Sequence, residues 1–163
     1  MDLPKRKKIR LKEYDYSTNG VYFITICTYK RKNILSQITS NGICELNIFG
    51  DIAVKYIENI NEKYPNVFVD NYTIMPNHIH LLISINKYGT EDPSPTIPHI
   101  ISWFKYKLTS AINEEKGKLE KIFQRSYYDH VVRNENDYLE IYEYIINNPL
   151  KWKEDKLYQD DNI

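Results

Sequence analysis

Two histidines separated by one residue, His78 and His80, are the side chains of this sequence best suited to chemistry. On a β-strand, residues two apart point to the same face of the sheet, about 7 Å from each other, so both imidazoles can bind one ion. Such a pair alone is structural as often as functional, and it suits zinc, manganese or iron as readily as magnesium. A third ligand has to come from another part of the chain.

Tyr144 and Asn148 form a second candidate group, because they are four residues apart near the end of a helical segment. That spacing places both side chains on one helix face, one turn apart. A free tyrosine has a pKa of about 10, so a tyrosine nucleophile needs its phenol close to a metal-bound phosphate. By composition alone, Tyr144 is better explained as one more tyrosine of an amphipathic helix, beside Tyr138 and Tyr142. The spacing leaves both interpretations open.

Hydrophobic periodicity predicts the elements that would position these groups. β-branched and aromatic runs predict strands at 21–28, 43–48, 67–75, 78–85 and 126–133. Apolar residues at helical spacing predict helices at 51–65, 97–112 and 135–147. Asn134 is suited to cap the last helix, which Pro149 ends. This order predicts an α+β sandwich with helices on one face of a largely antiparallel sheet.

The segment that carries the histidines reads as an amphipathic strand. Alternation puts His78 and His80 on one face, with Leu82 and Ser84, and four isoleucine or leucine residues at 79, 81, 83 and 85 on the other. Pro76-Asn77 predicts a hairpin or a sharp bend before it. Residues 87–98, which contain one glycine and three prolines, predict a mobile loop.

Length and composition predict one reduced, cytoplasmic domain. The 163 residues suffice for a single core. No apolar run approaches the roughly 20 residues that span a bilayer, and the first residues do not resemble a signal peptide. The only cysteines, Cys27 and Cys44, form no Cys-x-x-Cys pair and are interpreted as reduced, buried thiols.

Charge is unevenly distributed although the chain is neutral overall, with 22 basic and 22 acidic residues. Residues 1–38 carry nine basic and three acidic side chains. The basic arm at 1–13 is typical of a phosphate-binding segment, and equally of a solvated N-terminus. The 15 tyrosines suit base stacking, and equally suit half-buried sheet faces.

Several motifs in order along the chain resemble signatures of the REP-associated tyrosine transposases. They are Tyr14-Asp-Tyr-Ser17, Tyr22-Phe-Ile-Thr-Ile-Cys-Thr28, Met75-Pro-Asn-His-Ile-His80, Phe123-Gln-Arg-Ser-Tyr-Tyr-Asp129 and Tyr144-Ile-Ile-Asn-Asn-Pro149. The resemblance covers residues 5–152, and the combination of the histidine motif with the tyrosine motif is far more specific than either alone. These proteins are similar to the small insertion-sequence transposases of the HUH class, named for a histidine-hydrophobic-histidine motif.

The resemblance implies a ferredoxin-like sheet and a metal-dependent reaction with single-stranded, hairpin-forming DNA. It implies that His78 and His80 bind Mg²⁺ or Mn²⁺, that Asn148 is the third ligand through its amide oxygen, and that Tyr144 on a C-terminal helix is the nucleophile. Insertion-sequence relatives usually have glutamine at the position of Asn148. Phe123 stands where many members have tryptophan. Insertion-sequence relatives act as dimers whose tyrosine helix crosses to the partner, whereas REP-associated members can act alone, so a monomer and a homodimer both remain open.

Basic and aromatic residues in three regions are the candidates for contact with DNA. Ordinary solvation is an adequate alternative for each lysine among them. The candidates are Lys5, Arg6, Lys7, Lys8, Arg10, Lys12, Tyr29, Lys30, Arg31, Lys105 and Lys107. The resemblance suggests no general base, and Asp129 fits a role in orienting the backbone better than one in proton transfer.

Three rival interpretations remain at this point. An RRM-type nucleic-acid-binding module shares the β-α-β-β-α-β plan, although the histidine pair argues against it. A domesticated transposase that no longer moves itself is indistinguishable from a mobile one in a single sequence. A zinc hydrolase would need a third ligand, for which His99 and His130 are the remaining histidines. The expected organisation is one domain at 1–152 followed by a frayed acidic tail at 153–163.

Overall fold

The computed structural model describes residues 20–86 and 95–160. The predicted basic arm and most of the predicted mobile loop lie outside these residues. The elements in chain order are β1 (Gly20–Cys27), β2 (Ser36–Ile38), β3 (Cys44–Leu46), α1 (Ile48–Lys63), β4 (Val67–Ile74), β5 (His78–Ile85), α2 (Ile97–Lys116), β6 (Tyr128–Val132) and α3 (Glu135–Asn147).

Four of the strands form one antiparallel sheet in the order β4-β5-β1-β6, and β2 pairs with β3 in a separate ribbon. The two central strands, β1 and β5, are therefore neighbours in the sheet although α1 and β4 separate them in sequence. This is the β-α-β-β-α-β arrangement that the pattern of elements predicts. The α+β, ferredoxin-like fold class is confirmed.

The core lies between one face of the sheet and the helices α1 and α2. Alternate residues of β1 and β5 point into it, since successive side chains of a strand leave opposite faces. The two strands contribute Tyr22, Ile24, Ile26, Ile79, Leu81, Ile83 and Ile85, and the helices contribute Ala53, Ile57, Ile60, Ile97, Ile100, Ile101, Phe104, Leu108 and Ile112. Among the described residues, no helix is long and apolar enough to cross a membrane.

The third helix lies on the opposite face of the sheet, so the expectation of helices on one face holds only for α1 and α2. Asn134 caps α3 as predicted, with its side chain accepting a hydrogen bond from the backbone N–H of Asp137 at 2.9 Å. The Asn71 side chain of β4 donates to the carbonyl of Tyr142 at 3.3 Å. Leu82, which shares a sheet face with the histidines, is fully buried. Helix α3 covers the apolar part of this second face.

Side-chain capping extends the first helix beyond its predicted start. Asn47 accepts hydrogen bonds from the backbone N–H groups of Phe49 and Gly50, so α1 begins at Ile48 and not at Asp51. The predicted strand at 43–48 shortens to Cys44–Leu46, and its partner, Ser36–Ile38, was not predicted. A strand of three residues is too short to show a periodic pattern.

The segment after α3 folds back against the bend before β5 and the loop after β1. Of the predicted tail at 153–163, residues 161–163 lie outside the described residues. Pro149–Glu154 forms a 3₁₀ turn with Trp152 buried. The side chain of Asn77 donates to the carbonyl of Leu157 at 2.6 Å, and that of Asn33 donates to the carbonyl of Gln159 at 2.9 Å. These tertiary contacts hold an acidic segment whose composition alone predicts solvation.

Both cysteines are free, with Cys27 buried and Cys44 half-buried. Burial raises the pKa of the Cys27 thiol to about 11. This thiol is therefore protonated at physiological pH and is a packing residue, not a nucleophile.

Candidate active site

The two histidines lie at the start of β5, directly after the Pro76-Asn77 bend. Their rings are T-shaped with centroids 4.6 Å apart, and both side chains are essentially buried, with His78 0% and His80 3% exposed. They point away from the core, on the face that α3 covers. The structure thus brings the pair together as the alternation of β5 predicts.

A neighbouring side chain holds one nitrogen of each imidazole. His78 Nδ1 lies 2.8 Å from Asn77 Oδ1, and His80 Nδ1 lies 2.8 Å from the Thr25 hydroxyl. Because the Asn77 amide nitrogen donates to the carbonyl of Leu157, its oxygen faces His78 and accepts a hydrogen bond from the Nδ1–H group. The Nε2 atom of His78 then carries no hydrogen, and its lone pair is free to bind a metal. His80 Nε2 is buried with no hydrogen-bond partner among the described residues.

Burial keeps both imidazoles neutral. Desolvation lowers the pKa of His78 to about 4, although the nearby carboxylate of Asp155 opposes this shift. Desolvation also lowers the pKa of His80 well below its ordinary value, and the proximity of His78 adds to the effect. A neutral imidazole with a free Nε2 is the form that binds a metal.

Asn148 and Asp155 bring oxygen atoms to the same place. Asn148 is 2% exposed, and its Oδ1 lies 3.4 Å from His78 Nε2. Its amide nitrogen donates to Asp155 Oδ2 at 2.7 Å, which turns the amide oxygen towards the imidazole. Asp155 Oδ2 itself lies 3.7 Å from His78 Nε2. Potential ligand atoms of His78, His80 and Asp155 all lie within 4.8 Å of one another.

Tyr144 lies over this group on the inner side of α3. Its ring is 5.5 Å from that of His80 and 6.1 Å, edge-on, from that of Phe23. The residue is 45% exposed, so its phenol is open to solvent on one side. Partial burial, with a smaller contribution from Asp155, raises the pKa of Tyr144, so the phenol is protonated at neutral pH.

The two other tyrosines of α3 point elsewhere. The rings of Tyr138 and Tyr142 stack on each other at 6.1 Å, and the Tyr138 hydroxyl donates to Asp70 of β4 at 3.1 Å. Burial and the Asp70 carboxylate raise the pKa of Tyr138 to about 12. Of the three, Tyr144 is the one whose ring packs against a histidine of the pair.

The remaining histidines lie away from this group. The ring of His99 on α2 packs against Tyr64, and His130 is paired with Asp137 at 2.8 Å. Asp129 pairs across the sheet with Ile24, whose side chain faces the core. Its carboxyl group therefore leaves the sheet on the face opposite the histidine pair. Neither His99 nor His130 supplies the third ligand that a zinc hydrolase would need, and the carboxylate that approaches the pair is that of Asp155.

A family model described as "Transposase IS200 like" matches residues 16–148 of the sequence. The chain belongs to this transposase family. The matched range begins before β1 and ends at Asn148, so it contains the histidine pair, Tyr144 and Asn148. Asp155 lies outside it.

Two Haemophilus influenzae proteins are similar to this IS200-like transposase in sequence. An uncharacterised protein is 37% identical over 171 residues, which cover 95% of this chain and 94% of that protein. A candidate REP-associated tyrosine transposase is 26% identical over 142 residues, which cover 84% of this chain and 74% of that protein. The likeness to the first extends over almost the full length of both proteins.

Two solved structures share the fold of this IS200-like transposase. A REP-associated tyrosine transposase bound to a REP hairpin superposes with a TM-score of 0.63 at 20% identity, covering 87% of this chain and 74% of that one. A candidate transposase from Deinococcus radiodurans superposes with a TM-score of 0.53 at 17% identity, covering 85% and 97%. At these identities the likeness shows the fold.

One group of predicted DNA-contact residues lies next to the histidine bend of this transposase. Tyr29, Lys30 and Arg31 form a 3₁₀ turn directly after β1, where Lys30 and Arg31 have positive φ angles of 56° and 52°. Such backbone conformations are costly for residues other than glycine and are often kept at functional sites. The amine of Lys121, which the sequence did not single out, lies 4.8 Å from the Tyr29 ring centroid.

The lysines predicted on α2 are placed differently. The Lys105 amine donates to the backbone carbonyls of Gln124 and Arg125 at 2.6 and 3.0 Å, so it is engaged within the protein. Lys107 is exposed, on the helix layer across the sheet from the histidine pair. Lys5, Arg6, Lys7, Lys8, Arg10 and Lys12 lie outside the described residues.

Three residues of this site were not predicted from the sequence. Asn77 belongs to the quoted histidine motif, which was a usable signal for a supporting role. Thr25 lies directly opposite His80 in the β1–β5 register, which becomes visible only once the strands are paired. Asp155 carries no signal, because it follows the last predicted helix in a segment of mixed charge.

Proposed function

We propose that this transposase cuts and rejoins single-stranded DNA through a covalent bond between a DNA 5′-phosphate and Tyr144. The observation that carries the proposal is the packing of the Tyr144 ring on His80, at the point where His78 and Asn148 also converge. A structural tyrosine has no need of two buried, neutral histidines beside it. A nucleophile that attacks a metal-bound phosphate does.

The residues at this point fit a divalent metal ion. His78 Nε2, Asn148 Oδ1 and a ring nitrogen of His80 face one small space. A cation between such electron-pair donors would stabilise their close approach. The amide oxygen suits Mg²⁺ or Mn²⁺, whereas imidazoles by themselves suit transition metals such as zinc or iron. When bound, such an ion polarises the scissile phosphate and stabilises the charge that develops on it.

Tyr144 supplies the nucleophile. Its phenol oxygen attacks phosphorus in line, the bond from phosphorus to the 3′-oxygen breaks, and the products are a 5′-phosphotyrosine and a free 3′-hydroxyl. The phenol is protonated beforehand, so its proton leaves to solvent as the new bond forms, and the departing 3′-oxygen takes up a proton from solvent to become the hydroxyl. A second 3′-hydroxyl reverses the step, regenerates the phenol and joins a new strand. The energy of the broken bond is conserved, which suits strand exchange.

The DNA partner follows from the fold and from charge. The REP-associated transposase with the same fold was solved with a REP hairpin, which supports a hairpin-forming substrate for this chain as well. Tyr29, Lys30 and Arg31 offer an aromatic ring and two cations beside the histidine bend, and the basic arm at 1–13 offers further phosphate contacts.

Trapping of the covalent adduct tests this function. Wild type, Tyr144→Phe and the control Tyr142→Phe are incubated with labelled single-stranded hairpin DNA and Mn²⁺, denatured, and mapped by peptide mass spectrometry. Wild type and the control should carry the nucleotide on Tyr144, whereas Tyr144→Phe should bind the hairpin and form no adduct. Chelator should abolish the adduct and leave hairpin binding intact, because phosphate contacts supply most of the affinity. An adduct on another tyrosine would overturn the assignment.

A further inference from the structure

The carboxylate of Asp155 is almost enclosed beside the histidine pair. Asp155 ends the 3₁₀ turn that follows α3, and its side chain is 4% exposed. Oδ1 accepts a hydrogen bond from the backbone N–H of Leu157 at 2.8 Å, and Oδ2 accepts one from the Asn148 amide at 2.7 Å. These two bonds fix the carboxylate with Oδ2 facing His78.

This carboxylate has no cation to balance its charge within the described residues. The ion-pair candidate there is His78, whose Nε2 lies 3.7 Å from Oδ2 and whose Nδ1 faces the side-chain oxygen of Asn77. An enclosed carboxylate is costly unless it is paired or coordinates a metal. His78 Nε2, Asn148 Oδ1 and a ring nitrogen of His80 face the same space. No lysine or arginine of the described residues forms an ion pair with Asp155.

The spacing of these atoms suits a single ion. Divalent metals bind nitrogen and carboxylate oxygen at about 2.0–2.2 Å, so two ligands of one ion lie at most about 4.4 Å apart. Asp155 Oδ2 and His78 Nε2 are 3.7 Å apart, within this limit. The whole group of His78, His80 and Asp155 spans 4.8 Å, so a slight contraction brings every atom into range.

We propose that Asp155 is a ligand of the metal, in addition to His78, His80 and Asn148. The inference rests on the metal-dependent function proposed above, because it concerns the same ion. Asp155 neutralises one of the two positive charges of the ion. It also makes metal binding depend on the segment after α3, since Asp155 is held in place by the turn at Pro149–Glu154 and by Leu157.

Direct measurement of metal binding tests the proposal without reference to cleavage. The full chain is stripped with chelator and titrated with Mn²⁺ by calorimetry and by electron paramagnetic resonance. Loss of a second-shell partner typically weakens metal affinity about 10–100-fold. Asp155→Asn should weaken Mn²⁺ binding by at least this factor. The matched control is Glu154→Gln, which removes the same charge from an exposed neighbouring position and should bind Mn²⁺ as wild type does.

A ligand swap provides a readout that a purely structural role would not produce. Asp155→Cys should show a thiolate-to-metal charge-transfer absorption when Cd²⁺ is added, and neither wild type nor Glu154→Cys should show it. The wild-type comparison shows any absorption that arises from Cd²⁺ binding to the native thiols of Cys27 and Cys44. This variant keeps the proposal testable if Asp155→Asn proves unstable.

The outcomes separate this inference from the proposed function. Wild-type Mn²⁺ affinity in Asp155→Asn, together with loss of binding in His80→Ala, would overturn the role of Asp155 and leave the proposed function standing. Unchanged binding in both variants would remove the metal centre altogether. Lower thermal stability of metal-free Asp155→Asn, with an unchanged Mn²⁺-induced shift in Tm, would show that Asp155 only holds the turn.

Discussion

At the scale of single residues, the hydroxyl of Thr25 holds one nitrogen of His80 and leaves the other free. Thr25→Val keeps the β-branched shape and removes the hydroxyl. The imidazole then loses its fixed orientation, and we expect the affinity for Mn²⁺ to fall about 10–100-fold. Thr73→Val is the matched control, because Thr73 flanks His80 from β4 and its hydroxyl contacts Met75 Sδ at 3.9 Å. Calorimetric titration of both variants with Mn²⁺ checks this prediction. Equal Mn²⁺ affinities of Thr25→Val and Thr73→Val would contradict it.

Neutral burial of the same histidines predicts how stability depends on pH. The pKa of His78 is about 4 in the folded chain and that of His80 is also well below its ordinary value of 6.5. At a pH between the lowered pKa of the folded chain and the ordinary pKa of 6.5, the unfolded chain binds more protons than the folded chain. Stability therefore falls as the pH falls through this window, by about 1.4 kcal/mol per pH unit for each histidine.

Urea unfolding of the metal-free chain at several pH values between about 6.5 and 4 measures this slope. A variant with both His78→Asn and His80→Asn should lose most of it. A slope that is the same in this variant would assign the effect to other groups. Metal binding should weaken over the same range, because the proton and the metal compete for Nε2.

At the scale of elements, α3 is held to the sheet at both ends. Near its start the Tyr138 hydroxyl donates to Asp70 of β4, and after its end Asn148 Oδ1 lies 3.4 Å from His78 Nε2 of β5. Tyr138→Phe removes the first contact, at a cost of about 1 kcal/mol in stability. We expect slower adduct formation at Tyr144, because reaction rates are sensitive to displacements of a nucleophile of about 1 Å.

Affinity for Mn²⁺ and for the hairpin should stay unchanged in Tyr138→Phe, since neither site includes this residue. Single-turnover adduct formation and binding assays separate the two effects. Tyr142→Phe is the control, as its ring stacks on Tyr138 and its hydroxyl holds no contact with β4. Equal rates in both variants would show that Asp70 does not help to position α3.

At the scale of the whole molecule, Tyr144 contacts His80 of its own chain. One chain therefore carries every group of the candidate site, and we expect a monomer that acts alone. A mixture of Tyr144→Phe and His80→Ala chains should form no adduct, because neither chain holds both groups. Light scattering should give the single-chain mass of 19.5 kDa. Restored activity in the mixture, with twice this mass, would show that the tyrosine acts on a partner chain.

The sequence was sufficient for the α+β class because the core follows local patterns. Strand alternation at 78–85 and helical spacing at 97–112 both depend on residues close in sequence, and both regions of the structure bury the predicted side chains. The predicted ends of the helices and strands were less accurate than their order. The start of α1, for example, depends on capping by the side chain of Asn47. The position of α3 across the sheet from α1 and α2 was missed, because a helical pattern does not say which sheet face the helix covers.

For the site, the sequence by itself determined that His78 and His80 share one face of a strand and that Tyr144 and Asn148 share one face of a helix. Both relations follow from the repeat of a single element. Only the tertiary structure decided that the two faces meet, that Thr25 and Asn77 hold the imidazoles, and that Asp155 approaches them at 3.7 Å. These contacts join residues up to 77 positions apart, His78 and Asp155 being the furthest, and they depend on packing and chain reversal that no local pattern encodes.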